Sequence, residues 1–281
     1  MPDKVYTLVT GASEGFGKSL AIECARRGMN LLLVALPGEE LAQLQQFIEK
    51  NYGVSALCFG HDLSKKEECY RLFNTISEND WKVNMLINNA GIGGTHRFID
   101  KDADYYQRQI ALNVLAPTIL TYFFLPLLQE QPCSYILNVS SMAGLFAVPK
   151  KQVYGGTKSY LLAFSRSLRA ELRDKNVKVT VICPGGMNTT LPLIIQNRGL
   201  TGIGRWSIME PEEVAIIAID GLLKGRELII PGHWNRFIVL LNSVLPALIK
   251  NRLKRQWEKK VAETGGHPIE LPVRDDWKKT G

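Results

Sequence analysis

Val5-Tyr6-Thr7-Leu8-Val9-Thr10-Gly11-Ala12-Ser13-Glu14-Gly15-Phe16-Gly17 decides the fold. Its first six residues form a short apolar run that breaks at Gly11 and reads as a buried strand. An amphipathic helix is expected from about Gly15 to Arg27, ending at Gly28 as helices that close on a C-terminal glycine do. The glycines are spaced G-x-x-x-G-x-G, not the G-x-G-x-x-G of other dinucleotide-binding turns. Glycine lets the backbone approach a pyrophosphate, and a helix N-terminus adds free N–H groups and the positive end of a dipole. Alone, such a turn is equally a tight strand-to-helix connection. Because it opens the first βα unit, it reads as a nucleotide site.

The alternation continues outward. Strands are expected at Asn30–Ala35, Val54–Phe59, Met85–Asn88, Ser134–Val139, Val177–Cys183 and Glu227–Ile230. Between them lie helices from about Glu39, from Ala103 to Gln129, from Gln152 to Lys175 and from Pro211 to Leu223. Near-continuous apolar strands alternating with helices imply an α/β fold, a parallel sheet covered on both faces. Ligands of such sheets sit at the carboxyl ends of the strands, where the winding reverses.

Composition narrows the function classes. Of 281 residues, 46% are hydrophobic and 22% charged, the balance of an ordinary globular chain able to bury a core without staples. The five cysteines are scattered with no C-x-x-C pair, which points to reduced thiols in a cytoplasmic setting. Four histidines without ligand spacing argue against a metal site. No signal peptide is read, because the first strand starts within a few residues of Met1. A net charge of +7 without a recognisable motif does not indicate nucleic-acid binding.

Chemistry concentrates in Asn138-Val139-Ser140-Ser141 and Tyr154-Gly155-Gly156-Thr157-Lys158. Tyr154 and Lys158, four apart, share one helix face. An ammonium there would favour the phenolate of a tyrosine whose ordinary pKa is roughly 10. Ser141, thirteen residues before Tyr154, would approach the same point from a strand end and hold a substrate oxygen. Those parts serve to exchange a proton with an alcohol oxygen while hydride moves at the adjoining carbon. Asn113, poorly suited to a helix interior, is either exposed or locally bonded, or marks a kinking water site that relays protons to the lysine.

The remaining candidates surround a dinucleotide. Ala35-Leu36-Pro37 should lie near the adenosine ribose, where an acid would bond a free 2′-OH and an arginine a 2′-phosphate. Neither is present, and Glu14 disfavours a phosphate, so NADP(H) and NAD(H) both stay open, with the balance toward NADP(H). Asp62, next to Leu63, would bond the adenine amino group or else cap the following helix, for which Ser64 is as good a candidate. Asn88-Asn89-Ala90-Gly91 would floor the adenosine. Pro184-Gly185, with Thr189 beyond, would flank the nicotinamide or merely start a loop.

Together these residues resemble the short-chain dehydrogenase/reductase family, from Val5 to about Ile230. Thr10, Gly11, Gly15 and Gly17 are similar to its T-G-x-x-x-G-x-G turn, Asp62 to its adenine-binding acid, and Asn88–Gly91 to its N-N-A-G. Asn113, Ser141, Tyr154 and Lys158 are similar to its catalytic tetrad, and Pro184, Gly185 and Thr189 to its P-G…T segment. The resemblance implies a Rossmann-type doubly wound sheet of seven parallel strands, a nicotinamide cofactor, and reversible carbonyl/alcohol interconversion. It further implies that Ser13, Phe16, Ala35, Leu63, Asn89, Ala90 and Gly91 help hold the cofactor, with Lys158 on the nicotinamide ribose. A homodimer or homotetramer would form through the helices carrying Asn113 and Tyr154. Gly155-Gly156-Thr157 departs from the family's commoner residues between Tyr and Lys, and Leu36 stands where many NADPH-using members carry arginine. Within the family, Ala25-Arg26-Arg27-Gly28-Met29-Asn30 and the basic C-terminal extension look most similar to the 3-ketoacyl and 17β-hydroxysteroid reductase branch.

The expected organisation is a catalytic domain at 1–233 and a C-terminal extension at 234–281. Met187–Ile208, with glycines among apolar side chains, reads as a lid over an apolar substrate. Phe237–Ile249 is apolar and is followed by the basic Lys250–Arg255. Thirteen helical residues reach only about 20 Å, too short to span a bilayer, so the extension reads as a docked helix, a lid, an oligomer contact or a helix peripheral to a membrane surface. The leading expectation is an enzyme reducing an apolar or acyl-type ketone; the alternative is a nucleotide-sensing or scaffold protein without turnover.

Overall fold

The computed structural model describes residues 4–199 and 202–244. Seven parallel strands form one sheet: β1 (Val5–Thr10), β2 (Asn30–Ala35), β3 (Ala56–Gly60), β4 (Lys82–Asn88), β5 (Ser134–Val139), β6 (Val177–Ile182) and β7 (Leu228–Ile229). Their spatial order is β3-β2-β1-β4-β5-β6-β7. The chain winds outward from β1 to β3, then crosses back and winds the other way from β4. The reversal leaves a crevice at the carboxyl ends of β1 and β4.

The interior strands are buried on both faces, so neighbouring side chains feed opposite layers. Leu31 and Leu33 pack with Leu20 and Cys24 of α1 (Gly15–Arg26), Leu44 of α2 (Glu39–Tyr52) and Ile219 of α9 (Pro211–Leu223). Leu32 and Val34 pack on the other side with Leu72 of α3 (Lys66–Glu78), Phe124 of α5 (Ala116–Gln129) and Leu168 of α6 (Gln152–Glu171). The remaining helices are α4 (Ala103–Ile110), α7 (Leu191–Arg198), α8 (Ile203–Trp206) and α10 (His233–Val244).

Boundaries differ from expectation for local reasons. Gly53 takes a left-handed φ of +67°, and Ser55 N donates to Asn30 Oδ1, so β3 starts at Ala56 and not at Val54. The sixth helix stops at Glu171, short of Lys175, and β7 keeps two residues. The expected Ala103–Gln129 helix runs through a π-turn at Ala111–Leu115. That run is long and apolar enough to cross a membrane by composition, but here Leu120, Phe124 and Leu128 are buried in the second layer. The expected division at 233/234 falls at the start of α10. The apolar-to-basic pattern of the extension lies outside the described residues from 245 onward.

Candidate active site

A cleft of about 610 Å³ opens along the carboxyl ends of the strands. At its centre, the first βα turn is built by close approach. Gly11 has φ +66°, and a Cβ on Gly17 would sit 1.9 Å from Gly11 O, so only glycine fits where α1 meets the turn. Thr10 Oγ1 donates to Ile87 O and accepts from the backbone N–H groups of Asn89 (2.9 Å) and Ala90 (3.0 Å). Asn89 Nδ2 donates back to Thr10 O at 2.9 Å, locking the two strand ends together. No side chain caps the N-terminus of α1. Its free N–H groups face the cleft behind a wall that a methyl group at residue 11 or 17 would invade, which fits a dinucleotide pyrophosphate.

On one side of the turn, Ala35, Leu36, Asp62 and Leu63 line the cleft. Leu36 is 63% exposed. Asp62 Oδ1 accepts from Ser64 N and Ser64 Oγ (2.6 Å), closing a local turn. The N-cap of α3 is Lys65, so neither Asp62 nor Ser64 serves as the cap weighed from sequence. Gly15 faces Thr189 across the cleft, 3.3 Å from a would-be Cβ to Thr189 Cβ.

On the other side, the four proposed catalytic positions come together. Tyr154 is on the first turn of α6, Lys158 one turn on, and Ser141 just past β5, all with side chains on the cleft. Ser141 Oγ accepts from Ala143 N and is hydrogen-bonded to the Tyr154 phenol. Lys158 is buried, donates from Nζ to Val139 O at 2.8 Å, and lies 5.8 Å from the Tyr154 ring centroid. Burial pushes its ammonium down to about 8. Burial also raises the Tyr154 phenol, against a downward pull from the Ser141 hydrogen bond. The direction differs from the lowering expected from Lys158, because desolvation outweighs a lysine whose own charge is costly here.

Asn113, fully buried, occupies the π-turn between α4 and α5. Its Oδ1 accepts from Ile92 N (2.8 Å), and its Nδ2 donates to Ile92 O (3.0 Å) and Thr157 Oγ1 (3.1 Å). The exposed reading of Asn113 is therefore excluded. It is bonded to the segment after β4 and to α6, where π-turns commonly mark functional positions. A Cβ on Gly91 would lie 3.0 Å from Asn113 Oδ1 and 3.4 Å from Lys158 Nζ, so both face one gap.

Of the expected cofactor contacts, Gly11, Ser13, Gly15, Phe16, Gly17, Ala35, Asp62, Leu63, Asn89, Ala90, Gly91, Pro184, Gly185 and Thr189 all line the cleft. Thr10 does not; it braces the turn from beneath. The structure adds Ile92, Arg108, Leu112, Ser140 and Met187. Ser140 Oγ donates to Lys158 O at 2.7 Å, which its place beside Ser141 suggests only in hindsight. Nothing in the spacing of Arg108 or Leu112 marks them. Met187–Ile208, expected as a lid, forms α7 and α8, and Asn235 Nδ2 of α10 donates to Ser207 O at the end of α8.

Residues 6–194 match the family model for short chain dehydrogenases. The chain belongs to this family. As a family member it is a nicotinamide-dependent oxidoreductase acting at a carbonyl or alcohol carbon. It is 33% identical over 183 residues to the very-long-chain 3-oxoacyl-CoA reductase of Anas platyrhynchos, an alignment spanning 64% of this chain and 58% of that protein. Over 252 residues it is 28% identical to the 11-beta-hydroxysteroid dehydrogenase-like 4A of Arabidopsis thaliana, covering 88% and 83% of the two chains. A short-chain dehydrogenase from Sphingobium yanoikuyae solved with NADPH superposes with TM-score 0.73 at 25% identity, covering 97% and 99%.

Proposed function

We propose that this short chain dehydrogenase reduces a ketone on an apolar or acyl-type substrate, using NADP(H) in preference to NAD(H). The observation that carries the reading is the convergence of Ser141, Tyr154 and Lys158 on one cleft, with Asn113 behind them. The nicotinamide, when bound, supplies or accepts the hydride. Tyr154, held protonated by burial, donates its phenolic proton to the carbonyl oxygen. Ser141 donates a hydrogen bond to the same oxygen and fixes its position. Lys158 Nζ and Asn113 Oδ1 both close on Gly91, on the side of the tyrosine from which a proton would be returned. Gly11, Gly15 and Gly17 leave room for the pyrophosphate, and Asp62 and Leu63 take the adenine side.

Apolar lining from Ile92, Leu112 and Met187 supports an apolar substrate. The names of the duck and Arabidopsis relatives, a 3-oxoacyl-CoA reductase and a hydroxysteroid dehydrogenase-like protein, point the same way. Support for NADP(H) is the absence of an acid at Leu36 and the NADPH held by the Sphingobium relative. Tyr154→Phe is expected to lose at least 100-fold in turnover of 3-ketoacyl or ketosteroid probes. NADPH bound to that variant should keep its affinity in a fluorescence titration and exceed NADH. Retained turnover would refute the assigned acid, and tighter NADH binding would refute the cofactor.

A further inference from the structure

The reading of Tyr154 as the proton donor invokes one lysine, but the structure places two against its ring. Lys151, immediately before α6, has Nζ 5.1 Å from the Tyr154 ring centroid, closer than Lys158 Nζ at 5.8 Å. It donates to Gly94 O at 3.2 Å. No carboxylate among the described residues lies within ion-pair distance of it. The chain accepts strain to hold it there. Lys150 adopts a left-handed φ of +62°, a conformation disfavoured for a non-glycine residue. His96 N donates to Lys150 O at 3.0 Å, clamping the segment after β4 onto this turn.

We propose that Lys151 is a second electrostatic positioning residue for Tyr154, its ammonium sharing with Lys158 the stabilisation of the phenolate. The inference rests on the reading of Tyr154 as the proton-transfer group. An ammonium facing an acidic ring favours its charged form. Lys158 supplies only part of that effect near pH 8, because burial brings its own titration to about 8. Burial also lowers Lys151. The other groups around the ring are few. Ser141 beyond β5 hydrogen-bonds the phenol, and Cys183 beyond β6 would raise it if ionised. From the segment after β4 and from α4, the titratable groups are His96, Tyr105 and Arg108; the His96 ring packs on Tyr105, and Arg108 lines the cleft.

The test is a pH titration of tyrosinate absorbance in the full chain. Each protein is read against its own Tyr154→Phe counterpart, so that only Tyr154 contributes. Lys151→Gln keeps a donor for Gly94 O and removes the charge; Lys151→Arg keeps the charge. The Tyr154 transition should rise in Lys151→Gln, in proportion to the fraction of Lys151 still charged at that pH, and stay in place in Lys151→Arg. Lys151→Met repeats the loss of charge if the glutamine variant does not fold. An unmoved transition in Lys151→Gln, or the same shift in both variants, would overturn the inference. Turnover surviving in Tyr154→Phe would instead defeat the acid–base assignment beneath it, so the two failures are separable.

Discussion

At the scale of single residues, Gly17 is the position with least freedom. A methyl group there would press to 1.9 Å from Gly11 O, a backbone atom that cannot swing away, and to 2.4 Å from Asn89 Nδ2. Gly17→Ala is therefore expected to lower stability by roughly 1–3 kcal/mol and to abolish NADPH binding. Gly28→Ala, at φ +78° with open space around it, should cost about 1 kcal/mol and leave binding intact. Denaturant titration and cofactor fluorescence on both variants check the contrast; equal effects would remove the steric argument. Such glycines and the Tyr154/Lys158 pair are legible in sequence because their chemistry is local: a turn, or one helical repeat. Arg108, Leu112 and Lys151 are not legible. Their roles depend on where the segment after β4 and the start of α6 meet, and no spacing in the chain encodes that meeting.

At the scale of elements, α5 and α6 leave apolar side chains facing outward. Leu115 is 51% exposed and Tyr122 75%. Tyr160 of α6 is bonded to Thr118 of α5 and stacked on Phe164, so the two helices present a joined, ordered face. Such a face suits a second copy of the chain, a symmetric pairing of the kind most soluble oligomers use. Sedimentation of the wild type is expected to give a dimer or tetramer, and Leu115→Glu a smaller species. A monomeric wild type would dismiss the pairing. The sequence shows these helices clearly through their apolar content and length. It does not show the π-turn at Ala111–Leu115, because one extra residue in a helical turn leaves the apolar pattern nearly unchanged. Asn113 stands out by composition alone; its partners at Ile92 and Thr157 lie 21 and 44 residues away.

For the whole molecule, buried thiols set the alkaline limit. Burial pushes Cys24 from 9.0 up to about 12, and Cys69 and Cys183 up to about 11. A group whose proton is held more tightly in the fold lends stability below its unfolded pKa and loses it as pH rises through the folded value. Lys158 acts oppositely: its folded value of about 8 lies below 10.5, so its penalty is relieved between those two. Each group changes stability by up to about 1.4 kcal/mol per pH unit inside its own window. Between pH 9 and 10.5 these thiols, with Cys58 also raised to about 11, therefore outweigh the lowered ammoniums of Lys158 and Lys151. The denaturant midpoint should hold or rise slightly from pH 8 to 9 and fall beyond it, with a shallower fall in Cys24→Ala. A midpoint that keeps rising to pH 10.5 would contradict this balance. The seven-stranded architecture behind that burial is largely readable from the sequence, since every strand is an apolar run. Strand order depends on crossovers, which the runs themselves do not record.

The sheet has a working end and an idle one, and this decides how the protein can be attached to a support. Every residue of the cleft sits at or beyond a carboxyl end, whereas β1, an interior strand of the sheet, begins at Val5 at the opposite end. A linker joined ahead of Lys4 would anchor the molecule by its idle end and leave the cleft open to solution. A linker attached on α10 itself would pull on Asn235, whose Oδ1 lies 2.7 Å from where a Cβ on Gly185 would stand. Strain from a bead or electrode would then reach Gly185 in the cleft through that contact.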